Sequence, residues 1–392
     1  MLRRALIALC VTEVTSWGVL YYAFPVLLPQ VTRATGWSAG AAMGAFSTGL
    51  VVAALAGVPV GRLLDRLGPR PIMATGSVVG VAAVLAIAAA PTLPWLYAAW
   101  ALAGLAEAAL LYTPAFSALT RWYGPDRVRA LTTLSLVAGL ASTIYAPLTA
   151  VLASRLDWRA TFVVLAVVLG AITLPLHLRY LTAPWPAEEV RHRSEREPSH
   201  LGAVVGDRAF AFLVVTMALA AFGMYAANLN LVPMLISRGM AGTLAAVALG
   251  LGGAGQVLGR LGYSTLTRRT GPRTRTVAIV AAGSCMIALL AAIPGPAAIL
   301  ICIVVVTGCV RGVFTLLQAT AVSDRWGTRQ FATLNGVFSA PTTAAMALAP
   351  AGGALFAELL GGYPAAFWLL AALVFVGALT AIGTRAQDGC NG

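Results

Sequence analysis

Three ionisable residues, Glu13, Glu107 and Arg311, fall near the middle of long apolar runs. A carboxylate in such a place is a natural proton carrier, because it can hold a proton when shielded and release it when opened to water. A guanidinium there offers a planar, two-pronged fork that fits a carboxylate. Each charge costs about 2.5–3.5 kcal/mol on insertion scales, and the three together approach ~10 kcal/mol. That is comparable with the net stability of a whole domain. Such groups must therefore face water, pair with each other, or titrate.

Helical spacing supplies their neighbours. Arg311, Thr315 and Gln318 fall at i, i+4 and i+7, a polar stripe on one helix face. Glu107, Leu111 and Pro114 share a face in the same way, as do Glu13, Trp17 and Tyr21. Met217, Ala221, Tyr225 and Asn228 form a fourth such row. Tyr21, Tyr22, Tyr225 and Asn228 are candidate polar groups of a cavity, with core packing as the other reading of the tyrosines. Arg311 is either a receptor for a substrate carboxylate or a structural partner of Glu107. Glu13 is either a proton carrier or a group paired with an Arg or set in a watery crevice. His177 is read as interfacial rather than as a proton relay.

The elements that must hold these residues are membrane helices. Of 392 residues, 59% are hydrophobic and 10% charged, too little charge to cover a soluble protein of this length. A hydrocarbon core ~30 Å thick needs about 20 apolar residues per helix. Twelve segments qualify: 5–31, 39–62, 71–90, 94–119, 131–154, 159–181, 209–236, 243–266, 275–294, 296–322, 331–357 and 363–383. They are continuously apolar, whereas barrel strands alternate. The expected fold is all-α, with a six-helix half at 1–181, a linker at 182–208 and a second half at 209–392. The linker is the one long polar break, and it carries mixed charge and prolines.

All 26 basic residues of the Lys+Arg class are arginines, and the net charge is +13. With both ends inside, 21 of them fall on the cytoplasmic side. That is the positive-inside bias of a multi-pass protein of the cell membrane, facing anionic lipid headgroups rather than nucleic acid. Arg3-Arg4 before the first run imitates a signal peptide, yet the run is too long and no small-residue cleavage site follows. It is expected to stay as the first span. Cys10, Cys285, Cys302, Cys309 and Cys390 show no metal or CxxC spacing, and four of them lie in apolar runs.

The chain is internally duplicated. GLAEAALLYTPAFSALTRWYG (104–124) and GCVRGVFTLLQATAVSDRWGT (308–328) share a glycine, a charge three residues on and a closing Arg-Trp. Glu107 and Arg311 are thereby equivalents, 204 positions apart. Tyr21 and Pro29 match Tyr225 and Pro233 at the same offset. Gly61-Arg62-Leu63 resembles Gly259-Arg260-Leu261, and Gly68-Pro69-Arg70 resembles Gly271-Pro272-Arg273. An even number of spans per half makes the repeats parallel, related by an axis along the membrane normal. The glycines at 250, 252, 253, 255 and 259 are expected to allow close helix packing, not to cradle phosphate.

Between the second and third runs the chain reads GRLLDRLGPRP (61–71). This resembles the GxxxDRxGRR loop of the major facilitator superfamily, with Pro69 where that family usually has a basic residue. The second-half copy lacks the acid. The resemblance implies twelve helices in two six-helix bundles, with the first, fourth, seventh and tenth lining a central cavity. It further implies that Asp65 and Arg66, with Arg70, gate the protein by latching the cytoplasmic ends of the two halves. The other reading makes these arginines topology anchors only. Gly36-Trp37-Ser38, Arg121-Trp122-Tyr123 and Asp157-Trp158-Arg159-Ala160-Thr161-Phe162 resemble the monocarboxylate and oxalate/formate branch. That branch usually carries its arginine in the eighth span, and here the eighth has no mid-span charge.

The implied function is secondary transport by alternating access, coupled to protons, with a small organic anion as cargo and no cofactor. Substrate contact is assigned to Arg311, Glu107, Tyr21, Tyr225, Asn228, Thr315 and Gln318, and proton coupling to Glu13 and Glu107. Efflux of drugs or metabolites is the alternative, and a polytopic membrane enzyme the remote one. For the enzyme, HExxH, HxxxxD and paired ligand spacings are missing from the sequence. GxxxxGK[ST] is missing too, which disfavours ATP-driven transport. A monomer is expected.

Overall fold

The computed structural model describes residues 2–124, 127–185, 204–326 and 331–384. Most of the expected linker, 186–203, lies outside them, as does Cys390. The described chain is helical throughout. Among the described residues, eleven helices are long and apolar enough to cross a membrane. We label the helices α1 (Leu2–Thr35), α2 (Ala39–Leu67), α3 (Pro69–Ala88), α4 (Leu93–Tyr123), α5 (Arg129–Ala153) and α6 (Trp158–Tyr180). The second half holds α7 (Arg208–Leu229), α8 (Gly242–Arg269), α9 (Pro272–Ala292) and α10 (Ala297–Thr320). It ends with α11 (Phe331–Leu359) and α12 (Tyr363–Ala381). α11 is 29 residues long and stands where the eleventh of the twelve expected spans falls.

Two compact units make up the described chain. The first draws on Met1–Arg191 and Leu231–Gly253, the second on His192–Asn230 and Ala254–Gly392. The sequence places its boundary in the 182–208 linker. By contact, the short helix Leu231–Ser237 and the first turns of α8 group with the first unit.

In the first unit the local signals behave as their chemistry dictates. Ser38 caps α2 by accepting from Ala41 N–H at 3.1 Å, and Asp157 caps α6 by accepting from Ala160 N–H at 2.7 Å. Gly68 stands at φ 80° between α2 and α3, and Pro69 opens α3, where a missing N–H does no harm. α2 and α4 cross closely because a Cβ at Gly104 would collide with the Gly49 carbonyl. Phe24, Phe46, Trp100 and Phe162 seal the core beside that crossing with edge and stacked ring contacts 4.8–6.4 Å apart.

The second unit repeats these devices. Pro272 opens α9 after Gly271, as Pro69 opens α3 after Gly68. α8 and α10 cross on Gly255, Gly259 and Gly312, whose Cβ atoms would collide with the carbonyls of Val305, Cys309 and Gln256. These glycines serve helix packing. α12 ties to its neighbours through Ala371 O accepting from Ser284 Oγ at 2.8 Å and Thr380 Oγ1 lying 2.9 Å from Thr216 Oγ1.

Two local features depart from the sequence reading. α4 is interrupted: Leu93–Leu110 and Tyr112–Tyr123 are separate helices joined by extended Leu111 (φ −80°, ψ −167°). Pro114 has no N–H for the Leu110 carbonyl, and its ring would crowd that oxygen. Ala109 and Leu110 meanwhile press on Gly76 of α3. Glu107, Leu111 and Pro114 therefore do not share one continuous face. In α10 the equivalent of Pro114 is Gln318, and α10 runs unbroken.

α1 widens to a π-helix over Trp17–Tyr22, with Ala23 N–H reaching back to Gly18 O. Pro25 withholds the N–H that the Tyr21 carbonyl would use, and the turn before it loosens. The Tyr145 ring packs on Gly18, where any side chain would collide with it. His177 is fully buried within the protein, 2.9 Å from Ser77 Oγ through Nδ1, because α6 packs along α3 at this point.

Candidate functional site

Glu13 sits in α1 one turn before the π segment and is 0% exposed. Its Oε2 accepts from Trp17 Nε1 at 3.0 Å, and Oε1 has no hydrogen-bond partner among the described residues. Trp17 in turn meets Tyr21 edge-on at 5.1 Å and Tyr112 at 5.0 Å. Glu13, Trp17 and Tyr21 thus form one connected row, as their spacing predicts. Tyr21 is itself packed among the rings of Trp17, Tyr22 and Phe46.

Glu107 lies in the last turn before the break in α4 and is 2% exposed. Neither carboxyl oxygen has a hydrogen-bond partner among the described residues. An ionised carboxylate left so would carry a large desolvation cost, so the group must either hold a proton or take a partner that the described residues do not supply. It is placed by glycines: Gly104 seats α4 on α2, and Gly76 seats the next turn on α3.

Arg311 lies in α10, 5% exposed. Its Nη2 donates to Gln256 Oε1 on α8, and its Cζ stands 5.9 Å from the Tyr225 ring centre on α7. Gly312 makes this possible by letting the α8 backbone at Gln256 come against α10. Three helices of the second unit therefore converge on one guanidinium. Of the other predicted residues, Asn228, Thr315 and Gln318 are half-buried. Thr315 Oγ1 turns back to the Gly312 carbonyl at 2.8 Å, and Asn228 Nδ2 is buried with no partner among the described residues. Gln256 escaped the sequence reading. Its signal was a lone amide in the glycine-rich run of α8.

Asp65 pairs with Arg121 within its own unit: Arg121 Nη2 lies 2.6 Å from Asp65 Oδ1. Arg66 and Arg70 are exposed. Trp185, at the start of the linker, covers the pair, its ring 4.4 Å from Arg121 Cζ and its Nε1 donating to Asp65 O at 3.0 Å. Trp122 Nε1 donates to Pro184 O at 3.2 Å. Arg121, Trp122 and Trp185 complete a clasp whose acid alone was visible from the loop motif.

The second unit rebuilds a clasp from other positions. Arg275 at the start of α9 donates to Asp324, which stands in the short helix Ser323–Trp326 after α10. Arg325 beside it donates to Thr276 Oγ1 at 2.7 Å and Pro272 O at 3.1 Å. Burial pushes the Arg325 guanidinium down to about 10, with Asp324 opposing and Arg275 reinforcing the shift. It stays cationic at neutral pH. The acid missing from the second copy of the loop is thus supplied by Asp324 of the next connection.

A surface groove of about 300 Å³, lined by Gln30, Arg33, Ala34, Asp157 and Trp158, lies at the far end of α1 from Glu13. Its lining includes none of the buried charges.

Helices of membrane length thus carry isolated charges buried in α1, α4 and α10. Residues 9–340 match the Major Facilitator Superfamily, and the chain belongs to that family. It is 29% identical over 180 residues to monocarboxylate transporter 13 of Rattus norvegicus, covering 43% of this chain and 40% of the relative. To monocarboxylate transporter 11 of Homo sapiens it is 29% identical over 212 residues, 52% of this chain and 43% of the relative. The chain thus spans about two fifths of the length of the curated relatives it matches. A crystal structure of a point mutant of the nucleoside transporter NupG superposes with a TM-score of 0.79. It is 15% identical and covers 97% of this chain and 99% of its own, a likeness that carries the fold.

Proposed function

We propose that this transporter moves a small organic anion of the monocarboxylate type across the cell membrane, coupled to protons. The observation that carries the reading is Arg311. It is buried and held in place by Gln256 and Tyr225. A guanidinium fixed in an apolar span is suited to grip a carboxylate by two parallel bonds. Tyr225, Asn228, Thr315 and Gln318 are the proposed further substrate contacts of the same unit, and Glu107 and Tyr21 are those proposed in the first unit. The distant likeness to monocarboxylate transporters 11 and 13 supports the same cargo class.

Glu13 and Glu107 are the proposed proton carriers. Each buries at least one carboxyl oxygen without a partner among the described residues, the condition under which protonation relieves a desolvation cost. Asp65, with Arg66 and Arg70 near it, is the proposed gate at the cytoplasmic ends of α2 and α3, and the arginine bias favours both termini on that side. A monomer suffices for this mechanism.

Efflux of amphipathic drugs or metabolites is the second reading. Glu13 in the first helix favours it, because an acid there can also attract a cationic cargo. One experiment separates the two: thermal shift of the purified protein with carboxylates, sugars and cationic drugs at two pH values. Stabilisation by carboxylates alone, lost in Arg311→Ala, supports anion transport. Stabilisation by cations that survives Arg311→Ala overturns it.

A further inference from the structure

The second segment of α4, Tyr112–Tyr123, carries hydroxyls on its open face. Thr113 and Thr120 are exposed and Ser117 is half-exposed, at i, i+4 and i+7 along one stripe. Ser117 Oγ donates to Thr113 O at 2.9 Å, leaving its oxygen able to accept. The open face of α12, by contrast, is hydrocarbon, with Trp368, Phe375, Val376 and Leu379 exposed. A hydroxyl stripe suits water or a polar ligand better than lipid tails.

An aromatic wall runs beside this stripe. Tyr112 and Phe116 stack with centroids 4.9 Å apart and planes 22° from parallel. Trp17 of α1 leans on Tyr112 at 5.0 Å and 46°. All three rings are half-exposed, whereas Phe24, Phe46 and Trp100 of the same unit are sealed. These rings stand at the first residue of the π-helical turn and just after the break at Leu111.

We propose that the wall of Trp17, Tyr112 and Phe116 binds a planar ring, so that the cargo is an organic anion carrying an aromatic or similarly flat unsaturated group. This deepens the organic-anion reading and rests on it. The half-exposed rings supply stacking surface, and the hydroxyls of Thr113, Ser117 and Thr120 supply hydrogen bonds to polar substituents at the ring's edge. A lipid tail would stack poorly and leave those hydroxyls unanswered.

The test compares three probes on the purified full chain by calorimetry: benzoate, cyclohexanecarboxylate of the same size but without a flat ring, and benzyl alcohol without the charge. Benzoate should bind more tightly than cyclohexanecarboxylate. Phe116→Leu, which keeps an apolar side chain, should weaken benzoate about three- to tenfold and leave cyclohexanecarboxylate unchanged. Phe116→Tyr should restore benzoate. Equal binding of the two acids, no effect of Phe116→Leu on benzoate, or no binding of any probe overturns the proposal. If the leucine variant does not fold, the comparison of the two acids on the unaltered chain decides. Binding of benzyl alcohol alone, lost in Phe116→Leu, would keep the ring surface and sink the anion reading instead. Arg311→Ala reports on that reading separately and should abolish binding of both acids.

Discussion

Arg121 Nη2 lies 2.6 Å from Asp65 Oδ1, and Trp185 lies over the pair with its ring 4.4 Å from the guanidinium. The ends of α2 and α4 and the first residues of the linker are thereby joined through one arginine. The ion pair is partly open to solvent, with side chains 21% and 47% exposed, so by itself it contributes little. The ring contact adds about 0.5–1 kcal/mol. In a double-mutant cycle of Asp65→Asn with Arg121→Gln, the coupling energy should be about 1 kcal/mol or less and fall with salt. A coupling above about 3 kcal/mol would mark the pair as a buried structural element.

Glu107 offers a sharper contrast between function and stability. Its carboxyl oxygens have no partner among the described residues, so Glu107→Gln breaks no hydrogen bond seen within the unit. The variant should melt at or slightly above the temperature of the unaltered protein, yet lose accumulation of substrate driven by a pH gradient. A marked fall in melting temperature, with pH-driven accumulation intact, would make Glu107 a structural residue.

Arg311 and Gln256 act as a unit, because the amide holds the guanidinium that would hold the substrate. Arg311→Ala should abolish uptake, and Arg311→Lys should not restore it, since an ammonium lacks the planar fork. Gln256→Ala should weaken apparent affinity about tenfold or less, in line with loss of one positioning hydrogen bond. Uptake assays in proteoliposomes measure all three. Normal uptake by Arg311→Ala would remove it from the mechanism.

Pro114→Ala tests the break in α4. With an N–H restored to position 114 and the ring gone, the Leu110 carbonyl can be bonded and the helix can run through Leu111. The variant should be more thermally stable by about 1 kcal/mol or more and slower in transport, because the residues after Leu111 would be rotated about the helix axis. Faster transport, or no change in either property, would show that the break is incidental.

Gly259→Leu should prevent folding of the second unit, since a Cβ there meets the Cys309 backbone rather than a movable side chain. Gly262→Leu, less than one turn further along α8 and with open space around it, should be tolerated. Comparable yields of the two variants on size-exclusion chromatography would contradict the crossing.

Much of this protein is legible in its sequence. Long apolar runs can only be satisfied as helices in lipid, so class and span positions follow from composition and length. Duplication equated Glu107 with Arg311, and GRLLDRLGPRP carried the family. The row of Glu13, Trp17 and Tyr21 follows from helical spacing alone. The structure decided what spacing cannot. One proline separates α4 from its otherwise parallel copy α10, because backbone hydrogen bonding at Leu110 depends on a residue four positions away and on the packing of Ala109 and Leu110 against α3. Partners such as Gln256 for Arg311, Arg121 and Trp185 for Asp65, and Asp324 for Arg275 are distant in sequence. They meet only where glycines and helix ends let the backbones approach, and long-range packing of that kind has no periodic signature along the chain.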